Sequence, residues 1–240
     1  MNVIIILALL MLAALIIVSF IHEKQKKEQI QRQQQRRLRL QIEELNEVLG
    51  CIEQTVGDKH LARKINGLIY GLLEALGRLD AKRSPYVETA LHRVMAHNQE
   101  LDSSHTQLPV RYERESDAQI NKTQRQLIEA INILSNLASQ GRLEEAEFES
   151  YQNELRWAHL MVAVMSYIAQ GKKSLTIGDR VTAQAFFQRA HFQLMESTHP
   201  NSKRLNLIKE INEMIDGDRS QLSSHLVGLN HGLLNEEIDF

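Results

Sequence analysis

The sequence predicts an all-α fold: one N-terminal transmembrane helix, a basic and coiled-coil-like neck, and a helical body. Three observations carry this. The 240 residues include only three prolines and few aromatics, a composition that favours helices over strands. The chain opens on an uncharged apolar run. Beyond that run, apolar residues recur three and four apart, the spacing of one helix face.

The opening run, Val3–Ile21, reads VIIILALLMLAALIIVSFI, with Ser19 its only polar residue. A helix of that length spans about 28 Å at 1.5 Å per residue, close to the roughly 30 Å hydrocarbon core. A secretory signal would begin with a basic segment and end on small residues. Only Met1 and Asn2 precede the run, and no such cleavage pattern follows it. Residues 1–21 are therefore expected to be an uncleaved anchor. Orientation follows from the next segment, 22–39, which holds Lys24, Lys26, Lys27, Arg32, Arg36, Arg37 and Arg39. Basic flanks stay cytoplasmic. The expected placement is a bacterial-type inner membrane, N-terminus outside and body in the cytoplasm, with these seven residues at the membrane surface. Against Glu23 and Glu28 they leave the first 39 residues at +5. A chain total of −2 then leaves the remainder at −7.

A first helical unit is expected over 40–101. Leu38, Ile42, Leu45, Leu49, Ile52 and Val56 are spaced 4, 3, 4, 3, 4, a heptad row. It packs either against the next helix of the same chain or against a second copy, making the protein a homo-oligomer. Gly57 is a helix stop and Asp58 the next N-cap. Leu61, Ile65, Leu68, Leu72 and Leu79 mark the second helix, with Gly67 and Gly71 expected at a close packing face. Ser84-Pro85 opens a third, with Val87, Leu91, Val94 and Met95 as its apolar face. Residues 102–116 are polar and read as a linker or exposed loop.

The second unit, 117–215, begins with a capping box of Ser116 and Gln119. Its first helix carries Ile120, Leu127, Ile131, Leu134 and Leu137 and stops at Gly141. Its last, about 201–215, carries Leu205, Ile208, Ile211 and Ile215 and ends at Asp216-Gly217-Asp218. Between them, Gly141 and Ala146 recur 37 residues later as Gly178 and Ala183. Around the second copy, Gly171, Gly178, Ala183, Phe187 and Ala190 suit a tight helix pair: glycine for the turn, alanines for close approach, the ring between. The stretch 167–194 resembles a tetratricopeptide helix pair. The first copy has Ser150 where an aromatic belongs, and Pro200 falls later than the pattern places it. The resemblance implies a helical-repeat surface for protein binding; an ordinary helical bundle is the alternative. Residues 216–240 form a C-terminal tail with an acidic, Phe-terminated tip.

No residue pattern points to catalysis. The ten histidines form neither an HExxH pair nor a Cys/His cluster, and His225 and His231 are six apart, off a common helix face. Cys51, the only cysteine, sits in the heptad helix, so no internal disulfide can form. No GxGxxG, Walker A or GxSxG motif occurs. The basic neck has no aromatic to stack on a base between Lys24 and Arg39, which argues against nucleic acid. The expectation is a non-enzymatic protein without cofactor or metal: a membrane-tethered cytoplasmic scaffold or adaptor with an unidentified protein partner. A self-assembling coiled-coil membrane protein is the alternative, and a small enzyme on a helical scaffold the third.

Overall fold

A computed structural model describes the backbone of residues 2–79, 85–103 and 109–227, with side chains for Ser19 and from residue 22 onward. The protein is all-helical, and no strand occurs among the described residues. The helices are α1 (Asn2–Thr55), α2 (Lys59–Leu79), α3 (Pro85–Ser103), α4 (Asp117–Ser139), α5 (Glu145–Thr176), α6 (Arg180–Glu196), α7 (Lys203–Asp216) and the short α8 (Ser224–Val227). No Gly or Pro precedes Gly50, so nothing interrupts α1 through the neck. Among the described residues no helix is long and apolar enough to cross a membrane. The expected anchor falls on residues whose side chains, Ser19 apart, lie outside those described. The acidic tail from residue 228 also lies outside them.

The chain divides into two compact units interleaved in sequence: Met1–Leu45 with Gly67–His97, and Asn46–Asn66 with Asn98–Phe240. In the first, the Gln35 amide donates to the Leu79 carbonyl over 3.1 Å, and Gln31 donates to the same oxygen. Side chains of α1 thus satisfy a carbonyl that the end of α2 leaves open. Ile69, Leu73 and Leu76 are buried, whereas Leu68, Leu72 and Leu79 of the expected row are half-buried. Apolar residues cover a broad band of α2, and burial takes its centre rather than its edge. Gly67 and Gly71 lie on the opposite, exposed side, where a Cβ would meet nothing within 4 Å. They are not a packing face. On α3, Val87 and Val94 are buried and Leu91 is half-buried, but Met95 is 49 % exposed.

The second unit is built around α5, which packs on α4 and α6; α6 packs on α7, and α7 on α8. Residues 160–166 of α5 are all buried, as befits a helix covered on every side. The turns carry the expected caps. Gly57, Gly141, Gly178 and Gly217 have positive φ, and Asp58 Oδ1 accepts from the His60 and Leu61 amides at 2.7 and 3.2 Å. At α4, Ser116 Oγ accepts from the Gln119 amide, and the Gln119 side chain accepts from Glu115 rather than Ser116. On α7 the buried residues are Leu207, Glu210, Ile211 and Met214, while Leu205 is 65 % exposed.

Two expectations are refined here. A tetratricopeptide unit places two helices within about 34 residues. Between Gly141 and Gly178 there is one helix, the 32-residue α5, because nothing in 145–170 breaks it. Gly171 does not break it either. The 37-residue recurrence is one of turns and not of helix pairs. In residues 109–115, of which Pro109, Arg111 and Glu115 are exposed, the backbone is tied down. The Arg111 amide donates to the Gln54 carbonyl at 2.7 Å, the Arg114 amide donates to Ser166 Oγ at 2.8 Å, and Tyr112 packs against the core.

Candidate functional site

The α5–α6 hairpin gathers the small and aromatic residues singled out above. Ser174 and Leu175 carbonyls accept from the Asp179 and Gly178 amides at 2.9 and 3.0 Å, closing the turn at Gly178, whose φ is 83°. Asp179 then caps α6, accepting from the Thr182 amide at 3.0 Å. Ala183, Phe187, Ala190 and Leu194 form the buried row of α6. Phe187 lies against Gly171, where an added Cβ would clash with the ring at Cε1, Cδ1 and Cζ. Arg189 holds the flank, over the Tyr167 ring at 5.8 Å and 3.7 Å from Asp117.

On its other side α6 carries a second apolar row that the sequence reading missed. Val181, Ala185, Gln188, Phe192 and Met195 are spaced 4, 3, 4, 3 and all exposed; Val181 is 81 %, Phe192 59 % and Met195 56 % open. Its signal was present in the spacing, masked by Gln188 and by the stronger inner row. Arg204 donates to the Leu194 carbonyl at 3.0 Å, fixing the start of α7 at the end of α6. A helix apolar on two sides, covered on one, can accept a second apolar surface.

The neck residues Lys24, Lys26, Lys27, Arg32, Arg36, Arg37 and Arg39 are all exposed. Nine residues separate Lys27 from Arg36, two and a half turns, so the charges ring the helix and do not form one stripe. Arg32 pairs loosely with Glu28 at 3.9 Å, and Arg39 lies 5.9 Å from the Tyr86 ring centre. The heptad row is covered within a single chain: Ile42, Leu45, Leu49 and Ile52 are buried, and Leu38 and Val56 half-buried.

Polar groups in the interior are tied to backbone and side-chain partners. Cys51 is buried and free, 3.7 Å from the Thr123 carbonyl. Burial pushes its thiol pKa up, opposite to what a nucleophile needs. Arg114 donates to Thr123 Oγ1 at 2.9 Å and to the carbonyls of Arg111 and Glu113, tying 109–115 to α4. Burial raises the Tyr112 phenol to about 12 and holds His159 below its usual value. The His199 ring lies tilted beside Trp157, centroids 5.2 Å apart, and is held by Asn153 and Asn201. His225 is exposed, and His231 lies outside the described residues. Among the described residues no group of three or more His, Cys, Asp or Glu could hold a metal ion. The groove between α2 and α3 is lined by Glu74, Gly77, Arg78, Val87, Glu88 and Leu91, with Arg78 and Glu74 already 3.7 Å apart. Comparison with protein-family models, with curated proteins and with solved structures finds no match to this chain.

Proposed function

We propose that the chain is a membrane-tethered protein-interaction module, a scaffold or adaptor that offers the outer face of α6 to an amphipathic helix of a partner protein. The observation that carries the reading is the uncovered row of Val181, Ala185, Phe192 and Met195. Anchors three and four apart are how a helix face engages an apolar partner. The tether rests on the uncharged run Val3–Ile21 followed by seven basic residues, which together support a single span with the body in the cytoplasm. The helix that contains the run continues through the neck to Thr55.

The test is site-specific photo-crosslinking of the full chain in cells. Benzoylphenylalanine in place of Phe192 or Met195 is expected to give a discrete protein adduct. The same group in place of exposed Glu149 on α5 is expected to give none. Equal yields at all three positions would remove the outer face as a binding surface.

A further inference from the structure

The turn that joins α5 to α6 has a character of its own. Ile177 and Val181 flank Gly178 and are 78 % and 81 % exposed, and Leu175 is 38 % exposed. Lys172, Lys173 and Arg180 surround them, all exposed, and none forms an ion pair among the described residues. The one acidic side chain in 172–182 is Asp179, and its carboxylate is engaged as the α6 cap. The result is an apolar tip with a basic fringe. Phe192 and Met195 lie 11 and 14 residues further along α6, about 16–21 Å away at 1.5 Å per residue. The tip is thus separate from most of the outer face.

We propose that this tip is a lipid-contact site that seats Ile177 and Val181 in the headgroup region of an anionic bilayer. Apolar side chains with basic neighbours match such an interface, the former entering the acyl boundary and the latter meeting lipid phosphates. Arginine and lysine bring opposite charge to the anionic surface, each raising occupancy about fivefold. An apolar protein groove would use the same aliphatic side chains but gains nothing general from three neighbouring cations. The inference stands on the tip alone and does not require the N-terminal span.

Full-length protein carrying Ile177→Cys, labelled with an environment-sensitive nitrobenzoxadiazole group, tests this. Cys51 is buried, and the unsubstituted chain is the labelling control. The protein is held in phosphatidylcholine nanodiscs and titrated with vesicles of phosphatidylcholine, with or without phosphatidylglycerol. Incorporation into the disc reports on the span, and the label reports on the tip. With anionic vesicles the emission should move to the blue and be quenched by nitroxide-bearing lipid; neutral vesicles should do neither. Replacing Lys172, Lys173 and Arg180 by Gln should weaken the response on the order of a hundredfold, with the helical circular dichroism signal intact. A label that stays in water with anionic vesicles, or responds equally to neutral ones, overturns the proposal. The patch would then be a protein contact.

Discussion

Phe187 occupies the volume that a side chain at residue 171 would need. With 2 % of its surface exposed and its ring against the Gly171 backbone, it sets how closely α5 and α6 approach. Truncating it leaves a cavity, and filling position 171 forces the ring outward. Phe187→Ala should cost about 3–5 kcal/mol and Gly171→Val about 1–3 kcal/mol or more. For a chain of this size each kcal/mol lowers the thermal midpoint by about 2–4 °C. Circular dichroism melting of the full chain measures both, with exposed Gln184→Ala as a neutral control. Combining Gly171→Ala with Phe187→Leu should cost less than the two single changes added together, since each makes room for the other. Unchanged midpoints for Phe187→Ala and Gly171→Val would mean that the ring does not fill this contact.

At the level of elements, α7 and α8 are joined by a carboxylate. Glu210 accepts from the Ser223 amide at 2.8 Å and from Ser223 Oγ at 2.5 Å, with Arg219 3.5 Å away. Burial alone would raise its pKa, but the two Ser223 bonds and the Arg219 charge outweigh it and hold the group below its ordinary 4.5. A carboxyl depressed on folding contributes its full stability above the unfolded value and loses it as pH falls through the folded one. The wild-type midpoint should therefore fall more steeply below about pH 4.5 than that of Glu210→Gln. Ser223→Ala, which deletes a bond to a charged group, should cost about 1.5–3 kcal/mol at neutral pH. Parallel pH profiles for wild type and Glu210→Gln would show that this contact is not titrating. Helix ends were the legible part of the sequence, since Asp58, Pro85, Ser116, Gly141, Gly178 and Gly217 each do one local job. Helix faces were less so. Leu205 was expected on the apolar face of α7, yet it is 65 % exposed while Leu207 and Met214 are buried; Glu210 is buried beside them because its partners Arg219 and Ser223 come from later in the chain. The outer row of α6 was written in the spacing but masked by the stronger inner row, whereas the pinning of Tyr112 and Arg114 depends on what packs nearby, which spacing does not encode.

For the whole chain, charge is divided: +5 over the first 39 residues and −7 over the rest. If the seven basic residues fix the orientation, a reporter active only in the periplasm and fused after Phe240 should be silent, and a cytoplasmic reporter there should be active. The opposite pattern would overturn both the orientation and the compartment. The interleaving of the two units has a further consequence, in time. Cys51 meets the Thr123 carbonyl and Lys64 meets Glu147 at 2.7 Å, separations of 72 and 83 residues. A ribosome adding about 5–20 residues per second needs roughly 4–17 seconds to supply those partners. Throughout that interval the apolar rows ending α1 and opening α2 have been made without the helices that cover them. Synthesis of this chain therefore includes a waiting period in which its earliest core is open, and that is when a chaperone, or the bilayer itself, would compete for it.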